Sequence, residues 1–164
     1  MFYDKDIVGL HLEPTSKCNA KCPQCPRNVY GSNHLLDNLQ EEDFPIELLN
    51  QIDIPVLNDV LINGNYGDIV MHDKPKEFIQ ALVNKWGAKR KRPTIRIHSN
   101  GGALSKSFWQ YIGSLGISCE FGIDGVTNEQ HQLYRQNTRL DTVLKNAQTF
   151  IDAGGEAGWA MTLF

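Results

Sequence analysis

Short apolar runs alternate along this chain with segments of helical periodicity, and this alternation most constrains the fold. Strands that alternate with helices of about 10–15 residues indicate βαβ units and a parallel sheet. The apolar runs lie at 7–12, 60–62, 94–98, 117–123 and 159–164, and the helical segments at 44–52, 76–86, 104–115 and 142–153. We therefore predict an α/β fold, a partial (β/α) barrel with parallel strands and about five βα units, as one domain over residues 1–164.

Polar and glycine-rich clusters follow four of the predicted strands directly. They occupy residues 18–25, 64–68, 99–102 and 124–125. Loops at the carboxyl ends of parallel strands converge, and ligands of α/β folds bind there. Four clusters in equivalent positions therefore predict one ligand site at that edge of the sheet.

Three of the four cysteines are packed closely in the first of these clusters. Cys18, Cys22 and Cys25 form a C-x3-C-x2-C pattern, whereas Cys119 lies alone in a predicted strand, where we expect a buried free thiol. The N-terminus lacks a basic segment followed by an apolar run, so we expect a reducing cytoplasm, in which disulfides are rare. Thiols spaced in this way in a reducing compartment indicate metal ligands or redox groups.

Two metal sites suit these thiols. Three thiolates on one loop can each bind a different iron of a [4Fe–4S] cluster, and a site with only three cysteines leaves one iron open for a ligand. A structural zinc site is the alternative that spacing alone leaves open, with His11, His34 or Cys119 as the fourth ligand.

Composition argues against two classes of partner. The net charge of −3 is not that of a nucleic-acid-binding surface. No apolar run approaches the roughly 20 residues that a membrane span needs. The basic run at 89–92 is best interpreted as a solvated loop. We expect neither a membrane nor a nucleic acid as partner.

With these motifs the chain resembles the radical SAM superfamily over nearly its whole length. The C-x3-C-x2-C pattern after a first strand is that family's signature. The segment GNYGD at 64–68 resembles its glycine-rich turn, whose acidic residue contacts the methionine amine of S-adenosylmethionine (SAM). The segment HSNGG at 98–102 resembles the part that contacts the ribose and carboxylate, and FGIDG at 121–125 resembles the fourth-strand motif. The segment HQLYRQNT at 131–138 resembles the subgroup with an appended auxiliary-cluster domain, which often modifies peptides.

The resemblance implies both cofactors and their ligands. Cys18, Cys22 and Cys25 would hold a [4Fe–4S] cluster, and the SAM contacts would be Gly64, Gly67, Asp68, Ser99, Asn100 and Asp124. In this family an electron from the cluster cleaves a sulfur–carbon bond of SAM, and the resulting 5′-deoxyadenosyl radical takes a hydrogen atom from a substrate. The implied partners are an unidentified substrate, with a peptide favoured, and an electron donor such as a flavodoxin or ferredoxin.

The chain has fewer βα units than the family's core, since it stops as the fifth predicted strand forms. We expect a core that is incomplete at its C-terminus, which a partner chain could complete. The alternative function is a non-catalytic or partner-dependent iron–sulfur or zinc-binding α/β module.

Overall fold

Five parallel strands form one sheet in the computed structural model, which describes residues 6–54, 57–87 and 94–163. The strands are β1 (Gly9–Leu12), β2 (Asp59–Ile62), β3 (Thr94–Ser99), β4 (Ser118–Gly122) and β5 (Glu156–Ala160). Each strand pairs in parallel with the next one along the chain. Within the described ranges β1 and β5 do not pair, so the sheet is open. The predicted partial barrel of parallel strands is confirmed.

Helices connect the strands and cover one face of the sheet. They are α1 (Pro75–Trp86), α2 (Lys106–Ser114), α3 (Asn128–Tyr134) and α4 (Leu140–Asp152), with short 3-10 helices at Ile46–Gln51 and Ile69–Met71. Apolar residues at helical spacing on α1, such as Phe78 and Leu82, are fully buried against Val60 and Ile97 of the sheet. The Ser105 hydroxyl accepts a hydrogen bond from the Phe108 N–H and so begins α2.

The two faces of the sheet differ in polarity because side chains alternate along each strand. Ile95 and Ile97 of β3 are buried under the helices, whereas Arg96 and His98 point to the opposite, concave face. There Arg96 pairs with Asp59 at 2.8 Å, and His98 pairs with Glu120 at 3.2 Å. The helix-covered face is thus the core, and the concave face presents polar groups.

Three elements differ most from the sequence-based expectation. The last strand runs from Glu156 to Ala160 rather than over 159–164, because its parallel pairing with β4 begins at Ser118 and Glu156. The segment at 44–52 forms a 3-10 helix over Ile46–Gln51, and α3 was not predicted. The basic run at 89–92 lies outside the described residues. Among the residues described, no helix has the length and apolar character needed to cross a membrane.

Candidate functional site

A cavity of about 180 Å³ opens at the carboxyl ends of the strands. All the predicted site residues except Asp124 line it, and several residues that were not predicted line it as well. The predicted set is Cys18, Cys22, Cys25, Gly64, Gly67, Asp68, Ser99 and Asn100. The loops that follow three different strands therefore meet at one place, as the position of the polar clusters indicated.

Backbone turns shape the loop that carries the cysteines. The Cys25 N–H donates to the Cys22 carbonyl at 3.0 Å, and the Asn28 N–H donates to the Cys25 carbonyl at 2.9 Å. The Asn28 side-chain amide also donates to the Cys22 carbonyl, at 2.7 Å. These bonds curl the loop from Cys22 to Asn28, and Cys18, Cys22 and Cys25 all line the cavity.

Burial makes the thiols of Cys18 and Cys22 less acidic. It raises the pKa of Cys18 to about 12, with a further increase from nearby Asp68 and an opposing effect of the Arg27 guanidinium. Burial also raises the pKa of Cys22, and the Arg135 guanidinium opposes that shift. Both thiols are therefore protonated when free at neutral pH, and binding of a metal would release their protons.

Asp68 is the most densely hydrogen-bonded side chain at the cavity. Its carboxylate accepts bonds from the Ser99 hydroxyl at 2.9 Å, from the Asn100 N–H at 2.7 Å and from the Val70 N–H at 3.2 Å. Burial raises the pKa of Asp68, while these donors act in the opposite direction. Its own N–H donates to the Lys17 carbonyl at 2.8 Å, so Asp68 also ties the turn after β2 to the cysteine loop.

Close backbone contacts within the chain leave no room for a side chain at Gly64 or Gly67. A Cβ on Gly67 would overlap the Thr15 carbonyl oxygen and lie 2.9 Å from the Lys17 carbonyl oxygen. A Cβ on Gly64 would overlap the carbonyl oxygen of Gly67. The family resemblance implied that these glycines contact SAM; the structure adds that they let the glycine-rich turn pack against the cysteine loop.

Asp124 does not line the cavity, but it binds Arg135, which does. Its fully buried carboxylate accepts from Arg135 Nε at 2.5 Å and from the Thr162 N–H at 2.6 Å. The Arg135 side chain lines the cavity and passes directly over Gly122, where a Cβ would lie 2.6 Å from one guanidinium nitrogen. Burial opposes the charged form of Arg135, but the hydrogen bond to Asp124 and the attraction of nearby negative charge, chiefly that of Asp124, together outweigh burial and raise the pKa.

Four charged or titratable residues of the cavity were not predicted as site residues. They are Arg27, His98, Glu120 and Arg135. His98 and Glu120 could have been predicted from the sequence, because each lies near the carboxyl end of its strand, on the face opposite the buried apolar residues. Arg135 reaches the cavity because of how the segment after α3 folds back. The Lys21 N–H donates to the Gln136 carbonyl at 2.9 Å and so joins that segment to the cysteine loop.

The donor set fits a cluster that needs three thiolates. Among the described residues, no three His, Cys, Asp or Glu side chains come close enough together to hold a single metal ion. A cubane cluster instead presents separate irons to separate thiolates, and three thiols that line one cavity fit that requirement. The guanidinium groups of Arg27 and Arg135, which face the same cavity, suit an anionic occupant. Cys119 is buried in the core under the helices, as expected.

The fold is similar to those of solved radical SAM enzymes. The structure of anSMEcpe with bound AdoMet aligns with a TM-score of 0.67 and 20% identity, and the match covers 93% of this chain and 44% of that one. Streptococcus suis SuiB bound to S-adenosylmethionine aligns with a TM-score of 0.67 and 17% identity, covering 93% of this chain and 31% of SuiB. The structure of anSMEcpe with AdoMet and the Cp18Cys peptide gives a TM-score of 0.61 at 19% identity, covering 93% of this chain and 42% of that one.

These likenesses establish the fold of the chain as that of radical SAM enzymes. No protein-family model matches the sequence, and no curated protein matches it. The chain spans less than half the length of the solved structures, between 31% and 44% for these three.

Proposed function

We propose that this chain is the core of a radical SAM enzyme. Cys18, Cys22 and Cys25 would hold a [4Fe–4S] cluster, and SAM would bind beside it in the same cavity. When bound, these two groups supply reductive cleavage of SAM to a 5′-deoxyadenosyl radical, which abstracts a hydrogen atom from the substrate. The observation that carries the proposal is that one cavity collects the three thiols and the polar ends of β2 and β3.

The side chains around the cavity have separate tasks in this proposal. The side-chain amide nitrogen of Asn100 donates to the Asp68 carboxylate at 2.7 Å and to Asn19 Oδ1 at 2.9 Å. The same nitrogen lies 3.7 Å from Cys18 Sγ. It therefore fixes the first cysteine relative to the Asp68 carboxylate. Gly64, Gly67, Asp68 and Ser99 would contact SAM, and the carboxylate of Asp68 would attract its amine.

Asp124 would act on SAM through Arg135. The fully buried Asp124 carboxylate holds the guanidinium at the cavity wall by a hydrogen bond of 2.5 Å. An arginine that is restrained in this way is prepared to bind a carboxylate. The negatively charged end of SAM is the group that we assign to it.

The substrate that we propose is a peptide or protein side chain. The concave face of the sheet continues from the cavity and carries the Arg96–Asp59 and His98–Glu120 pairs. These groups can form further hydrogen bonds with polar peptide groups, whereas a purely apolar substrate would displace their water and give no hydrogen bond in return. The similar anSMEcpe has been solved with a bound peptide. The electron would come from a donor of the flavodoxin or ferredoxin kind.

Anaerobic reconstitution with iron and sulfide tests the proposal. We expect about four irons and four sulfides per chain, as a [4Fe–4S] cluster contains. The electron paramagnetic resonance (EPR) signal of the reduced cluster should change when SAM is added, because SAM would bind the open iron. A cluster signal that is indifferent to SAM would contradict the SAM site.

Cysteine variants test the ligand assignment. Cys18→Ala, Cys22→Ala and Cys25→Ala should each lose the cluster, and Cys119→Ala is the matched control because Cys119 is a buried core thiol. Full iron retention in all of the first three variants would refute the assignment. Tightly bound zinc with no iron would favour the structural zinc module instead.

A further inference from the structure

Arg27 is a buried cation at the cavity that the proposed reaction has not used. Only 3% of the residue is exposed, and its side chain lines the cavity with the three cysteines. Its Nε donates to the Ser16 carbonyl at 2.9 Å, and its Nη2 donates to Glu41 Oε1 at 2.6 Å. A buried guanidinium is costly unless it is paired, so these bonds hold the charge in place.

A strap, residues 40–44, keeps the partner of Arg27 in position. The strap runs beside the segment that precedes Cys18: the Ser16 N–H donates to the Glu42 carbonyl at 2.9 Å, and the Phe44 N–H donates to the Pro14 carbonyl at 2.8 Å. The Ser16 hydroxyl also donates to the Gln40 carbonyl at 2.7 Å, so bonds at residues 40 and 42 flank Glu41. Its side chain is 45% exposed, whereas that of Arg27 is 3% exposed. The positive charge is therefore the one shielded from water at the cavity, and the negative charge is the one that solvent screens.

The position of this charge matters for electron transfer. Three thiolates make a [4Fe–4S] site anionic, and the reduced cluster carries one more negative charge than the oxidised one. A cation in a poorly solvated place lowers the free energy of the reduced form more than that of the oxidised form. Arg27 lies two residues from Cys25 along the chain and faces the same cavity.

We propose that the buried charge of Arg27 raises the reduction potential of the cluster, and that Glu41 of the strap attenuates this effect. The inference rests on the proposed function, since it requires a cluster on the three cysteines. The step concerned is the uptake of one electron by the oxidised cluster, without bond formation or cleavage. In the test, dithionite supplies that electron.

The experiment is a redox titration of the reconstituted protein, monitored by EPR in the absence of SAM. Arg27→Gln should shift the midpoint to a more negative potential, because the buried cation is lost. Glu41→Gln should shift it in the opposite direction, because the same cation loses its counter-charge. Arg27→Lys should stay closer to the wild type than Arg27→Gln does, because it keeps a positive charge.

Lys21→Gln is the matched control. Lys21 is adjacent to Cys22 but is exposed, so solvent screens its charge and its removal should shift the midpoint less than the loss of Arg27 does. Iron and sulfide are quantified first, and midpoints are compared only between variants with full clusters. If Arg27→Gln does not retain the cluster, Glu41→Gln and Arg27→Lys decide the question.

The outcomes are distinct. Shifts of opposite sign for Arg27→Gln and Glu41→Gln support the inference, because a merely structural disturbance would not reverse its sign. Unchanged midpoints, or shifts in the same direction, with full clusters would overturn it and leave the proposed function intact. A wild-type protein that takes up no cluster would overturn the proposed function, and this inference would fall with it.

Discussion

The backbone N–H and the side-chain amide of Asn100 both donate to the same carboxylate oxygen of Asp68, each at 2.7 Å. The Ser99 hydroxyl donates to the other oxygen at 2.9 Å. One buried carboxylate thus joins the turn after β2 to the end of β3. This connection holds together two of the loops that line the cavity.

Replacing Asp68 with Asn should therefore weaken the fold as well as the site. An amide can accept at only one of its two terminal atoms, so its NH₂ would face groups that are themselves donors. We expect a loss of about 2–3 kcal/mol in the free energy of unfolding, as for buried donors that lose their partner. Urea denaturation measures it. Asp152→Asn, on the exposed end of α4, is the control and should change stability by less than about 0.5 kcal/mol. Equal effects of the two substitutions would contradict this account.

Gly67→Ala tests the packing of the glycine-rich turn on the cysteine loop. The added Cβ would overlap the Thr15 carbonyl oxygen and lie 2.9 Å from the Lys17 carbonyl oxygen. Both oxygens belong to the backbone, so neither can rotate away as a side chain could. We expect a loss of at least about 1–3 kcal/mol, the usual cost of overpacking, together with lower iron retention because the cysteine loop must move. Gly9→Ala is the matched control, since nothing lies within 4 Å of a Cβ built there. Full iron retention and an unchanged unfolding midpoint in Gly67→Ala would disprove this interpretation.

The order of the strands and the place of the site could be predicted from the sequence because both follow from local signals. Branched apolar runs and glycine-rich turns alternate along the chain, and the turns mark where parallel strands end. These local signals do not show how distant segments pair with each other. The bounds of β5, for example, are fixed by its register with β4, in which Ser118 is opposite Glu156.

The sequence analysis predicted neither α3 nor the position of Arg135, and only α3 had a recognisable sequence pattern. α3 lacks apolar periodicity, but Thr127 followed by Gln130 is the pattern of a capping box, and the Thr127 hydroxyl does accept from the Gln130 N–H. Arg135 had no such signal. Its guanidinium reaches the cavity because buried Asp124, from the end of β4, binds it. No local pattern predicts that contact.

Asp43→Asn should remove stability at neutral pH but not at strongly acidic pH. Burial alone would raise the pKa of Asp43, but hydrogen bonds from the Thr15 hydroxyl, from Lys17 and from the Asp73 N–H outweigh it and hold the pKa at about 2. A carboxyl with a lowered pKa stabilises the fold above its unfolded pKa of about 3.9 and loses this contribution as the pH falls to the folded value. We expect a contribution of about 1–2 kcal/mol at pH 7, allowing for solvent screening.

Denaturation at pH 7, 4 and 2.5 measures this contribution. The difference between wild type and Asp43→Asn should be largest at pH 7, slightly smaller at pH 4 and much smaller at pH 2.5. Asp37→Asn, an exposed aspartate in the same loop, should differ little from wild type throughout. A difference for Asp43→Asn that stays constant down to pH 2.5 would argue against the ionised, hydrogen-bonded carboxylate.

His131 joins the end of β4 to the segment after α3. Its Nδ1 accepts from the Asp124 N–H at 3.3 Å, and its Nε2 lies 2.9 Å from the Thr138 hydroxyl. The Thr138 hydroxyl donates to the Arg135 carbonyl at 2.9 Å, so Nε2 is the nitrogen that carries the proton. The neutral ring satisfies all three groups, and it supports the segment that carries Arg135.

Protonation of His131 should therefore destabilise the protein at mildly acidic pH. Burial lowers the pKa of His131, nearby Asp124 opposes that shift, and Arg135 adds to it. Because the unfolded chain binds the proton more readily, this contribution to stability is present above the unfolded pKa of about 6.5 and is lost as the pH falls through the folded pKa. Between pH 7 and 5 the free energy of unfolding of the wild type should fall by on the order of 1 kcal/mol through this residue. The His131→Gln variant should already be less stable at pH 7 and should not show this additional fall. Denaturation of both proteins at the two pH values measures the difference, and His34→Gln, at an exposed position, should follow the wild type. If His131→Gln lost as much stability as the wild type between pH 7 and 5, the neutral ring would not be what joins β4 to the Arg135 segment.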